Sequence, residues 1–295
     1  MSAAGITTIA VLGAGTMGRG IAQVAAQGGY ATRLYDVDGK VLELARARIE
    51  RNLGKGVELG KVAAADAEAV RGRLALHLGL AEAVAGAGLV IEAVPESMEL
   101  KIRTFQEVAL HAPEAALFAS NTSGLSITEM AAASGRPARF AGMHFFNPVH
   151  RMKLVELVSG LETAEETLRA LEEVSRRMGK TTVRVAESPG FVTSRINALI
   201  GNEAFRMLES GVASAEDIDT ALKLGLNHPM GPFELVDLVG LDVRLSILEY
   251  LHQTLGDAYR PSNLLVRYVK AGRLGRKAGR GVYQYDADGH RVSAG

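Results

Sequence analysis

No cysteine occurs among the 295 residues of the chain, which excludes disulfides, thiolate metal sites and a cysteine nucleophile together. A cysteine-free chain fits a reducing compartment. There is no net charge either, with 33 Lys+Arg against 33 Asp+Glu, so no global field draws the protein to nucleic acid or an anionic membrane. Any anionic ligand must then be held by a local group of donors. No stretch approaches the ~18 uninterrupted apolar residues of a spanning helix. The opening Met1-Ser2-Ala3-Ala4-Gly5 lacks the basic start and long apolar core of an export signal. Repeats, low-complexity tracts and flexible linkers are missing too. The expectation is a cytoplasmic protein that binds neither nucleic acid nor membrane, and no metal is expected.

What is present is an ordinary globular composition, 47% hydrophobic and 22% charged, in a length that suits one large domain or two smaller ones. Ile6 to Leu12 reads as a short buried strand ended by glycine, and residues 16–28 have the apolar spacing of a helix face. A second strand over Ala31–Tyr35 and a polar helix from Val37 to about Lys61 follow. Further strands are read at Leu89–Val94 and Ala116–Ala119, with a helix over Met98–His111 between them. Such alternation predicts an α/β fold with a Rossmann-type, doubly wound sheet. Strands at Phe140–Phe145 and Lys153–Val158 flank an Asn147-Pro148 turn. Thr163 and Glu166 have the spacing of a capping box for a helix over 164–178, and Thr181–Val185 reads as a last strand. Beyond Ser188-Pro189-Gly190 only helices are read, one of them opened by a box at Ser214 and Asp217. The expected division is 1–188, a nucleotide-binding domain, and 189–295, an all-helical C-terminal domain.

Gly13-Ala14-Gly15-Thr16-Met17-Gly18 fits G-x-G-x-x-G. The pattern alone is weak in a glycine-rich chain; its place between a strand and a helix strengthens it. There, free backbone N–H groups and the helix dipole can hold a pyrophosphate. Gly13 allows the tight turn, Gly15 the approach of the phosphate, and Gly18 the helix–strand contact. Asp36 ends the second strand eighteen residues beyond Gly18. A carboxylate there accepts from ribose hydroxyls and repels a 2′-phosphate, so NAD is expected rather than NADP. Arg33 points the other way, but lies inside the strand.

Seven histidines offer acid–base chemistry, and His144 stands out by its company. Glu156 lies twelve residues on. A hairpin centred near His150 would make the two direct cross-strand partners on one face. A carboxylate there fixes the imidazole tautomer and stabilises its protonated form, as a base taking an alcohol proton requires. Spacing alone leaves open that Glu156 is a solvated strand residue paired with Lys153 or Arg151. The loop Ser120-Asn121-Thr122-Ser123-Gly124 could bind a polarised carbonyl or cap the next helix, and the pattern does not choose.

Taken together these residues resemble the 3-hydroxyacyl-CoA dehydrogenase family over almost the whole chain. The stretches VLGAGTMGRGIA, IEAVPE, FASNTSGLSI, FAGMHFFNPV, KLVE, SPGF, PMGPFEL and LGRKAGRGVY stand in its order and spacing. The resemblance implies hydride transfer between C3 of an (S)-3-hydroxyacyl-CoA and NAD. It implies His144 as general base, Glu156 as its orienting carboxylate and Ser123 on the substrate's 3-oxygen. Glu96, Lys101 and Asn147 then fall near the nicotinamide half of the cofactor, with Lys277 reaching back toward it. The helix after Asp36 would meet the anionic coenzyme through Arg51, Asn52 and Lys55, unless it is only a solvated face balanced by Glu43, Glu50 and Glu58.

One departure stands out. Where the family usually has Asn after SPGF, this chain has Ser194, whose hydroxyl offers less than an amide; Asn197, three residues on, could compensate. The apolar residues Ile196, Leu199, Ile200, Leu235, Val236 and Leu238 are more than a small helical domain buries alone, so a homodimer is expected. A four-carbon and a dicarboxylic acyl chain are both open. Two rivals remain: a dehydrogenase of a free hydroxy acid or sugar acid, and a non-catalytic NAD-binding protein.

Overall fold

A computed structural model describes residues 5–292; the opening Met1–Ala4, read above for an export signal, lie outside them. The chain parts into two compact units between Ser188 and Pro189.

The first unit opens with β1 (Thr8–Leu12), α1 (Thr16–Gln27), β2 (Ala31–Tyr35) and α2 (Gly39–Glu58). Asp38 starts α2 by accepting from Lys40 N, so this helix begins two residues later than the polar run suggests. Residues 62–88, where the pattern offers no element, hold α3 (Ala64–Arg73), β3 (Leu74–His77) and α4 (Leu80–Val84). Next come β4 (Leu89–Glu92), α5 (Met98–His111), β5 (Leu117–Ser120), α6 (Ile127–Ala133), β6 (Phe140–Phe145), β7 (Leu154–Ser159), α7 (Glu165–Arg177) and β8 (Thr181–Ala186).

All eight strands join one sheet in the order β3-β2-β1-β4-β5-β6-β7-β8. β1 to β6 are parallel, β7 is antiparallel to β6, and β8 runs with β7. The central strands are apolar on both faces, as helices on both sides require; Ile9, Val11, Leu89, Ile91 and Ala119 are fully enclosed. Burying side chains of this size is worth about 1.5–3 kcal/mol each. The sheet reverses its order between β1 and β4, the place where such folds open a crevice beyond the strand ends. α7 departs from its expected cap. Thr163 Oγ1 donates to Phe140 O at 2.7 Å and accepts from Gly160 N at 2.9 Å, so its hydroxyl serves the sheet and Ala164 becomes an uncapped N-cap.

The second unit contains α8 (Thr193–Glu209), α9 (Ala215–Gly225), α10 (Pro232–Val239), α11 (Leu241–Leu255) and α12 (Asn263–Lys270). They enclose Phe205, Phe233, Leu241, Leu248, Leu251 and Leu265. Ser214 caps α9 by accepting from Asp217 N. To the helices this unit adds a two-stranded ribbon, β9 (Gln284–Tyr285) with β10 (Arg291–Val292). No described helix is long and apolar enough to cross a membrane.

Candidate active site

β1 ends at Leu12 and the glycine turn begins at once. Gly13 has φ +93°, and a Cβ there would lie 2.6 Å from Ala93 O. A Cβ on Gly18 would lie 1.6 Å from Gly13 O, whereas one on Gly15 meets nothing within 4 Å. Two glycines are therefore required by the packing of the turn on α1 and β4, and the third leaves an open approach. Gly15 is the N-cap of α1 and no side chain caps the helix, so the N–H groups around Thr16 and Met17 face that opening.

Asp36 closes the turn from β2. Its Oδ2 accepts from Ala14 N at 2.8 Å and its Oδ1 from Asp38 N at 3.1 Å. Together with Gly13, Val37, Val94 and Leu100 it lines a cleft of about 530 Å³. Arg33, the one contrary signal for the cofactor, is committed elsewhere: its guanidinium donates to the carbonyls of Glu82, Ala83 and Ala85 at the end of α4. A turn open at Gly15, a helix N-terminus and a carboxylate beside the cleft fit NAD.

At the same edge, β4 and β5 finish on polar residues. Glu92 and Ser120 are register partners, and the Glu92 carboxylate is fully buried. It accepts from Lys101 Nζ at 2.6 Å, Ser120 Oγ at 2.6 Å and Val94 N at 2.7 Å. Burial pushes its pKa up against the pull of these partners. Lys101 is also buried, 1% exposed, and its ammonium lies 3.2 Å from Glu96. Glu96 in turn accepts from Thr122 Oγ1 at 2.5 Å and from Ser123 N at 3.0 Å. Lys101 is thus not the surface charge its sequence context permits: its ammonium is enclosed between Glu92 and Glu96. Glu92 escaped the sequence reading, although a lone acid within LVIEAV is itself a signal. Asn121 ties this loop to β6 by accepting from Phe145 N at 2.9 Å.

His144 and Glu156 face each other across β6 and β7 in the register that the hairpin spacing demands. His144 Nδ1 lies 2.7 Å from Glu156 Oε2, with the histidine 6% and the glutamate 0% exposed. The Phe146 ring packs at 4.5 Å from the imidazole. The solvated alternative for Glu156 is thereby removed. His252 also meets a carboxylate, Asp257 at 3.0 Å, but on the open surface. The turn joining β6 and β7 contains a cis Asn147-Pro148 bond and leaves Asn147 exposed. Lys180 fastens that turn from below by donating to the carbonyls of Val149 and Met152.

The remaining expected residues lie on other elements. Arg51 and Lys55 are exposed on α2 without a carboxylate partner among the described residues, while Arg46 is paired with Glu43. Asn52 is half-buried and donates to Gln23 Oε1 at 3.2 Å. Ser194 and Asn197 belong to the second unit, half-buried on the first turns of α8. Lys277, also in that unit, donates to Asp242 Oδ2 at 2.7 Å.

A glycine turn open at a helix N-terminus, a carboxylate at the end of the neighbouring strand and a buried histidine–carboxylate pair along one sheet edge fit a nucleotide-dependent dehydrogenase. Comparison with known proteins narrows the class. The family model for the 3-hydroxyacyl-CoA dehydrogenase NAD binding domain matches residues 8–188, and that for the C-terminal domain of the same family matches 190–285. A probable 3-hydroxybutyryl-CoA dehydrogenase of Bacillus subtilis is 47% identical over 95% of this chain and 98% of its own. A 3-hydroxyadipyl-CoA dehydrogenase of Escherichia coli is 42% identical over 97% of this chain and 61% of its own longer one. The crystal structure of the (S)-3-hydroxybutyryl-CoA dehydrogenase from Ralstonia eutropha superposes with TM-score 0.92 at 41% identity, covering 95% and 99% of the two chains. The chain therefore belongs to the 3-hydroxyacyl-CoA dehydrogenase family, an NAD-dependent oxidoreductase family.

Proposed function

We propose that the enzyme interconverts a short-chain (S)-3-hydroxyacyl-CoA and its 3-oxo form, with His144 as general base. The observation behind this reading is the buried 2.7 Å contact between His144 Nδ1 and Glu156 Oε2. With Nδ1–H donated to the carboxylate, Nε2 is the basic nitrogen. It takes the proton of the substrate's 3-hydroxyl, and the imidazolium that forms is stabilised by the Glu156 carboxyl group held beside it. Ser123, in a loop held by Glu96, donates to the 3-oxygen as it becomes a carbonyl. Bound NAD⁺ supplies the hydride acceptor. Gly13, Gly15, Gly18 and Asp36 would hold its nucleotide, with Glu96, Lys101 and Asn147 toward the nicotinamide and Lys277 as a further contact.

Arg51 and Lys55, exposed on α2, are the residues proposed to meet the phosphates of CoA, with Asn52 beside them. Ser194 and Asn197 are proposed to contact the acyl group from α8, the hydroxyl taking part of an amide's role. A cytoplasmic homodimer is proposed as well. Ile196, Leu224, Leu226 and Leu238 expose apolar surface on the helical unit, although Val236, also expected there, packs inward. Sedimentation at micromolar concentration tests the dimer.

The deciding experiment follows NADH oxidation with acetoacetyl-CoA beside free acetoacetate, and with NADPH in place of NADH. Turnover restricted to the thioester with NADH is expected. Equal turnover of free acetoacetate would favour a hydroxy-acid dehydrogenase, and none with either substrate a non-catalytic role.

A further inference from the structure

Among the charged groups that the proposed chemistry does not use, Glu92 is the most deeply enclosed. Removing a carboxylate from water is costly unless it is paired and hydrogen-bonded. Here the requirement is met by Lys101, whose own ammonium is 1% exposed. The pair does not stop at itself. Lys101 has a second carboxylate at 3.2 Å, Glu96, which is about half exposed and would otherwise be free to turn into solvent. Glu96 then accepts both from Thr122 Oγ1 and from the backbone N–H of Ser123. A second line runs through the sheet, because Glu92 also accepts from Ser120 Oγ, at the root of the same loop.

We infer that Glu92 is a positioning residue, which fixes Lys101 so that Glu96 holds the Ser123 loop in its working geometry. The inference rests on the reading of Ser123 as the substrate contact. Two features separate this arrangement from a buried ion pair that only stabilises the fold. Lys101 is shared between an enclosed carboxylate and a half-exposed one, so the buried pair is linked to the loop through Glu96. And the last link is a hydrogen bond to the N–H of Ser123 itself, so a small turn of Glu96 moves that residue directly. Misplacement of a reacting group by about 1 Å can cost ~10²-fold in rate.

The test uses the intact enzyme with acetoacetyl-CoA and NADH. Glu92→Gln keeps the shape and the acceptor facing Lys101 while removing the charge. It should lower kcat about 10–100-fold, shift the KM for the thioester by less than about threefold, and lower the melting temperature. The double variant Glu92→Gln with Lys101→Met removes both buried charges, and should recover the melting temperature but leave kcat low, because Glu96 then has no cation to hold it. Recovery of kcat together with the melting temperature would reduce the pair to a structural one and overturn the inference. Ser123→Ala separates the two ideas. If it lowers kcat and adding Lys101→Met costs little more, the groups act in one line, as expected. If the two losses multiply in full, positioning fails while the Ser123 reading stands. If Ser123→Ala is silent, the Ser123 reading fails and the inference with it.

Discussion

In the first unit, the buried carboxylates Glu92 and Glu156 each meet a side chain that can hold a positive charge, Lys101 and His144. Among the described residues of the second unit, the buried carboxylates accept hydrogen bonds only from neutral donors. Asp219 accepts from the N–H groups of Phe233 and Glu234 and from Tyr283 OH, capping α10. Asp237 accepts from the N–H groups of Val282 and Tyr283 and from Tyr285 OH, tying the end of the chain to α10. The difference teaches where charge is put to use. A carboxylate ringed by fixed N–H and O–H donors is a staple whose satisfaction depends on the fold being closed. A carboxylate facing a titratable or mobile cation retains an electrostatic task, and both such pairs lie at the ends of strands where the site is built.

The largest effect that would break this comparison is expected at His144. His144→Gln should lower turnover by about 10²–10⁴ while NADH still binds, as titrated by its fluorescence; near-normal turnover would remove the base from the mechanism. Asp237→Ala should show the reverse pattern, leaving three donors without an acceptor and costing on the order of 3 kcal/mol or more of stability. Denaturant unfolding measures the loss, and an unchanged midpoint would mean that Asp237 staples nothing. A smaller change is expected on the exposed α2 face. Reversing Arg51 and Lys55 to Glu should raise the KM for CoA thioesters by roughly tenfold, from the lost phosphate pairing, and leave NAD affinity alone. Equal loss of both affinities, or of neither, would sink the coenzyme reading.

The smallest effect is one of sign. Burial holds Asp219 and Asp237 above the ordinary carboxylate range despite their hydrogen bonds. Their contribution to stability is complete below that range and is lost as pH rises through the raised value. On the surface of the first unit, hydrogen bonds from Arg184 hold Glu165 and Glu172 below the range. Their contribution is present above it and is lost as pH falls, and solvent screens it. Unfolding wild type beside Asp237→Asn and beside Arg184→Met across the acid range should therefore give differences of opposite slope. Slopes of the same sign would contradict the contrast between the two units.

Much of this site is legible in the chain because it rests on short, local spacings. Gly13 to Gly18 lies between a strand and a helix, and twelve residues about an Asn-Pro turn bring His144 opposite Glu156. Groups that depend on tertiary company are harder to read. Lys101 looks like any lysine in the first turns of a helix, and only the fold shows that it turns inward to Glu92. The Thr163–Glu166 spacing is that of a cap, yet a carbonyl of β6 competes for the hydroxyl and wins. Residues 62–88 were silent for a related reason: β3 is half-exposed at the sheet edge, so it shows neither a buried run nor a clean alternation.

Arg33 bears on how the cofactor preference could be re-engineered. Its guanidinium is already bonded to the three carbonyls that finish α4. If Asp36 faces the ribose as proposed, replacing it by a small residue would remove the repulsion of a 2′-phosphate without freeing a cation to welcome one. A redesign for NADP would have to bring a new basic residue to the start of α2 and leave Arg33 where it is, since recruiting it would unfasten the end of a helix.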